Sequence, residues 1–243
     1  MAELKVYAEV GADNCSILFT FDPPGYLAHG KSIEDALKKA SSETRELREF
    51  LQRCNKTNLL KQIWEEDDVP QIKVVEVVRN RRKVADGYTR ATFSRDYDPV
   101  MREESLEFLN LMKCMREELI SFRTKLDSTT LRFRPSVRDM TISEHLKHIA
   151  SCDRWYLSRF WDDLPRLSRA RDEWQKLYLS RKLAVTLLSN LNREDAERTR
   201  KVNGEVWTAR KLFRRFLYHE RFHINCIRSH YELLSRARFN DQV

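Results

Sequence analysis

The chain has 243 residues, 41% of them hydrophobic and 34% charged, with only five Gly and six Pro. That mix can bury the core of one or two domains, favours helix, and excludes a turn-rich all-β fold. No run of 18 or more apolar residues occurs, so no bilayer span is expected, and "MAELKVYAEV" is not the basic-then-apolar opening of a signal peptide. The net charge of +8 is uneven: residues 1–100 carry 16 Lys and Arg against 17 Asp and Glu, whereas residues 101–243 carry 29 against 20. A basic half can meet nucleic acid, acidic lipid or an anionic small molecule. No Lys/Arg block with interleaved aromatics stands out, so most of these charges are expected on solvated helix faces. Five scattered cysteines (15, 54, 114, 152 and 226), without a C-x-x-C pair, read as free thiols of a cytoplasmic protein.

In chain order, "LKVYAEV" alternates in period two and "CSILFTF" is an apolar run closed by the turn "DPPG". "YLAHG" is long enough for a third strand. From Ser32 the spacing predicts a helix, with Ser32 as N-cap, Asp35 in a box-like position, and Ile33, Ala36, Leu37, Ala40, Leu47 and Leu51 as its buried stripe. A short helix over "NLLKQIWEE", a strand over "IKVVEVVR" and a further strand at "YTRATF" follow, and Pro99 marks a boundary near residue 100.

The stretch "ILFTFDPPGYLAHGKSIEDALKKASSETRELREFL" resembles the HicB-type antitoxin domain, a partial RNase H-like fold. The resemblance covers about residues 3–80 and implies a β-β-β-α-β domain. The acidic cluster of a two-metal nuclease is absent, and Asp22 reads as a turn former. The domain is therefore expected to bind a protein or RNA partner rather than to cut nucleic acid.

The second half reads as four helices. The first runs from "REESLEF", with Leu106, Leu109, Met112, Met115, Leu119, Phe122 and Leu126 as its stripe. The second is "TISEHLKHIASCDRWYLSRFW", opened by a Thr141–Glu144 capping box. The third is "DEWQKLYLSRKLAVTLLSNL". The fourth is "TARKLFRRFLYHERFHINCIRSHYELLSRA", preceded by an Asn-Gly reversal in "KVNGEV". A four-helix bundle is the natural architecture. The overall expectation is α+β: a small domain over 1–98 and a bundle over 99–243.

Two histidines of the last helix, His219 and His223, stand one turn apart on one face and can reach one ion. A third ligand would come from a facing helix. In the second helix Leu146, Ile149, Cys152 and Tyr156 face inward with His148 beside them, and His145 lies a turn earlier near the capped end. The segments "TISEHLKHIA" and "WTARKLFRRFLYHERFHINCI" resemble the DinB-like (YfiT/DinB) metalloenzyme superfamily: a helix-two histidine, an aromatic start at Trp207, a His-x-x-x-His pair on helix four, and Asn225 near a position where that family often has Gln. The resemblance covers about residues 100–235. It implies His148, His219 and His223 as metal ligands and a thiol-dependent transferase, isomerase or hydrolase class of activity.

Three neutral imidazoles suit Zn, Ni, Fe or Mn and leave a position open for water or substrate. His145 reads as a surface or supporting residue that would replace His148 were the helix rotated. His230 reads as a core or rim residue, and His29 as a turn residue without a role. Glu220 and Glu144 could orient a ligand or act as base, but read first as solvated. Cys152 and Cys226 share the ligand faces, either as small buried hydrophobes or as thiolate ligands. Trp155, Trp161, Trp174 and Trp207 read as core or end caps. Arg215 and Arg221 are candidates for a basic rim.

The leading expectation is a metal-dependent enzyme that activates water or a thiol on a divalent ion, acting on an anionic small molecule or a thiol, with a homodimer expected. The alternative is a non-catalytic interaction protein whose HicB-like domain binds a protein or RNA. A third reading is nucleic-acid binding through the basic half.

Overall fold

A computed structural model describes residues 3–56, 70–84 and 89–240. The chain is mixed α+β, and it divides into two compact units, one formed by 1–100 with 196–218 and the other by 101–195 with 219–243. No helix among the described residues is long and apolar enough to cross a membrane.

The first unit holds a four-stranded sheet of β1 (Glu3–Val10), β2 (Ser16–Phe21), β3 (Pro24–Gly30) and β4 (Gln71–Arg79), in the order β3-β2-β1-β4. β1 pairs antiparallel with β2 and parallel with β4. All six residues of β2 are buried, as its continuous apolar run requires, whereas every residue of the edge strand β4 is at least half-exposed. Helix α1 (Ile33–Arg53) packs on β2 and β3. Its N-cap Ser32 accepts from the Asp35 amide at 3.2 Å, but Asp35 accepts from the Lys31 amide rather than closing a box on Ser32. Gly30 is forced by proximity: a Cβ there would lie 2.3 Å from the Ala36 nitrogen.

The expected helix over "NLLKQIWEE" lies outside the described residues. The expected strand at "YTRATF" does not form over residues 89–93. The Arg90 and Ala91 amides donate instead to the buried Glu9 side chain, at 2.6 and 3.0 Å, so they are unavailable to a β-ladder. Phe93 continues inward against Tyr7 and Phe19, with ring centres 5.6 and 5.7 Å away.

The Asn-Gly reversal is a hairpin of β5 (Thr199–Val202) and β6 (Glu205–Thr208). Asn203 and Gly204 both take positive φ, 52° and 75°, as a two-residue turn of this hand demands.

The second unit contains α2 (Arg102–Ser121), the short α3 (Ser128–Leu131), α4 (Ile142–Phe160), α5 (Glu173–Ser189), the short α6 (Arg193–Glu197) and the later part of α7 (Ala209–Asn240). The capping box of α4 forms as read: Thr141 Oγ1 accepts from the Glu144 amide at 3.1 Å, and Glu144 accepts from the Thr141 amide at 2.7 Å. Asp172 caps α5 by accepting from Gln175 at 2.7 Å. On α2 the buried face is Phe108, Leu111, Met112, Met115, Arg116 and Leu119, and Leu106 is exposed. Met112, Met115, Leu119, Phe122 and Leu126 of the expected stripe are buried as read, and a charged residue, Arg116, shares their face.

Cys15, Cys152 and Cys226 are free thiols, as read.

Candidate metal centre

One turn of α4 and one turn of α7 bring histidines together. His219 and His223, at i and i+4, have their Nε2 atoms 3.1 Å apart. The His148 ring lies 5.0 Å from that of His219 and 4.9 Å from that of His223, centre to centre. Cys152, one turn after His148, places its Sγ 3.4 Å from His148 Nε2. His148, Cys152 and His219 each offer a ligand atom within 4.8 Å of the other two. His223 stands outside this group of three and touches it through His219.

Behind these residues, His145 is buried, with its Nδ1 2.8 Å from His223 Nδ1. The His230 ring stands 5.2 Å from that of His145. His145 thus supports His223 and is not a surface residue, while His148 sits at the exposed edge. His29 lies in β3 of the first unit.

The cluster is held neutral. Burial pushes His145 down to about 4, with His230 and His148 adding repulsion. Burial lowers His223 well below its ordinary range, and again His145 and His148 add to it. His148 and His230 are lowered mainly by burial. Neutral imidazoles present lone pairs, which a metal needs and a proton would block.

The donor set fits a divalent ion. Two nitrogens about 2.0–2.1 Å from one tetrahedral ion stand about 3.3 Å apart, close to the 3.1 Å between His219 and His223. The contact of His223 Nδ1 with His145 gives the second ring nitrogen the partner that metal-bound histidines generally have.

Beneath the histidines lies a buried ion network that sequence reasoning missed. Arg116 of α2 donates to Glu220 of α7 at 2.6 Å, to Asp153 of α4 at 3.1 Å and to the Leu177 carbonyl of α5 at 2.6 Å. Arg181 of α5 donates to Asp153 at 3.3 Å and to Glu220. Burial alone would raise the Glu220 carboxyl, but Arg116 and Arg181 outweigh it and hold it below the usual range. Glu220 is thus neither solvated nor a free base; it anchors the turn of α7 that carries His219. Glu144 is engaged in the α4 cap. The signal was present: a charged residue at an apolar-stripe position, as Arg116 is, must find a buried counter-charge.

The expected basic rim is not formed by Arg215, which is buried in the first unit and donates to the Thr89 carbonyl. Arg221 is half-buried and donates to Glu118 at 3.0 Å. Trp207 is core as read, whereas Trp155 is exposed.

This arrangement of helix-borne histidines falls within a family match. Residues 112–227 match the DinB superfamily. The DinB-matched segment holds His145, His148, Cys152, His219 and His223 together with the whole ion network. The superfamily is a metal-binding one. No curated protein and no solved structure matches the chain.

Proposed function

We propose that the chain is a metal-dependent enzyme of DinB type, with His148, His219 and His223 holding a divalent ion (Zn, Ni, Fe or Mn) in a four-helix bundle over residues 99–243, and with a hydrolytic or thiol-transfer reaction as its chemistry. The observation that carries this reading is the 3.1 Å approach of the His219 and His223 Nε2 atoms beside a third imidazole, inside the DinB-matched segment. When bound, such an ion supplies Lewis acidity, polarising a substrate oxygen and easing proton loss from water or a thiol. The chain's own residues do the positioning. His145 fixes the ring of His223 through the Nδ1–Nδ1 contact at 2.8 Å. Glu220, clamped by two guanidiniums, fixes the turn that bears His219. Tyr156, with its ring 5.6 Å from that of His219, keeps water off one side of it.

The test is metal analysis of the purified protein and of His219→Ala. We expect about one divalent ion per chain in the wild type and at least tenfold weaker retention in the variant. A variant that keeps a full complement would remove His219 from the ligand set.

The competing reading, a HicB-like domain that binds a protein or RNA partner, draws on the exposed Val75 and Val77 of edge strand β4. Loss of partner capture on Val77→Lys, with metal content unchanged, would favour it.

A further inference from the structure

We infer that the Cys152 thiolate is the fourth ligand of the ion, so that the resting centre is a three-histidine, one-cysteine site. This inference rests on the three-histidine reading and refines it. The two helices present matching pairs: His148 and Cys152 one turn apart on α4, and His219 and His223 one turn apart on α7. Each pair converges. A nitrogen and a sulfur bound to one tetrahedral ion, at about 2.0–2.1 and 2.3 Å, stand about 3.6 Å apart, and Cys152 Sγ lies 3.4 Å from His148 Nε2. The same thiol is within 4.8 Å of the His219 ligand atom, across the helix pair. A thiol resting on His148 alone would not need that second approach.

Coordination here is a ligand exchange without redox change. The S–H bond breaks, its proton leaves to solvent, and a sulfur–metal bond forms. The thiolate softens the site and favours Zn over harder ions. With three imidazoles it would fill four positions, and Cys152 would be the residue that yields to a substrate. A substrate thiol would take the place that Cys152 holds.

The experiment loads the full chain with cobalt(II) and records its spectrum in the wild type, Cys152→Ala and Cys226→Ala. The wild type should show a thiolate-to-cobalt charge-transfer band in the near ultraviolet. Cys226→Ala should keep that band. Cys152→Ala should lose it while still binding one cobalt per chain, and azide should perturb the visible cobalt bands of that variant alone, through the position the thiol has vacated. Cobalt bound by the wild type without the band, or a band that survives in Cys152→Ala, overturns the Cys152 assignment and leaves the three histidines standing. A wild type that binds no cobalt overturns both readings together.

Discussion

Arg116 makes three buried hydrogen bonds, to Glu220, Asp153 and Leu177, with its side chain only 7% exposed. Removing Arg116 leaves two buried carboxylates, Asp153 and Glu220, to the single guanidinium of Arg181, at a cost of about 3–5 kcal/mol. Arg116→Met is therefore expected to lose that much stability, read as a lower urea midpoint with an unchanged slope. Arg221→Met is the contrast. Its partner Glu118 keeps Arg228, the group is partly solvated, and the loss should stay within about 1 kcal/mol. Equal losses would mean that burial does not govern these pairs. At this scale the site was half legible. The His-x-x-x-His spacing places two imidazoles on one face whatever surrounds them. The approach of Cys152 to His148 follows from the same spacing, but the burial of His145 was not legible, because it depends on how far α4 is rotated about its axis. A rotation of one residue, about 100°, exchanges His145, His148 and Cys152 between core and rim, and apolar periodicity does not fix it that closely when histidines occupy the stripe.

Helix α4 carries three of the residues in question, and its first turn is fixed by the Thr141–Glu144 box. Thr141→Ala deprives the Glu144 amide of its acceptor and should cost about 1 kcal/mol in thermal or urea unfolding. Because His145 lies within that first turn, the variant should also bind cobalt more weakly than the wild type, whereas a purely global destabilisation would leave affinity for the folded protein unchanged. Elements announced by local chemistry were readable in the sequence: this box, the Ser32 cap, the Asn203–Gly204 turn, and the apolar run of β2. The segment at 89–93 was not. Its alternation suits a strand, but a strand also needs a neighbouring backbone, and here the Glu9 carboxylate takes the amides. The α2 stripe was readable from Met112 to Leu126, but Leu106 is exposed, and Arg116 was not read as part of the core that it anchors.

Across the whole molecule the excess of basic residues in the second half is not simply a solvated surface. Arg116, Arg181, Arg210, Lys211, Arg214 and Arg215 are all buried. Arg214 is bidentate on Asp96, at 3.0 and 2.6 Å, and Lys211 donates to two carbonyls and to Thr92 while pairing with the Glu205 carboxylate at 2.9 Å. These charges brace each unit from within, which lowers what the net +8 can offer an anionic partner. They also give the fold a pH signature. Burial drives Lys211 down from 10.5 to about 8, against the pull of Glu205. Between those two values the unfolded chain binds the proton that the folded chain has released, so stability rises with pH, by about 3 kcal/mol if Lys211 acted alone. Cys226 works in the opposite sense: burial, with help from Asp139, raises it from 9.0 to about 11. Above pH 9 the unfolded thiol ionises first, and stability is lost as pH climbs towards the folded value. The urea midpoint should therefore rise from about pH 8 to 9 and then level off. Lys211→Met should abolish the rise, and Cys226→Ala should extend it towards pH 10.5. A midpoint that falls from pH 8 in the wild type would mean that the Lys211 ammonium is fully compensated by Glu205 in the folded chain.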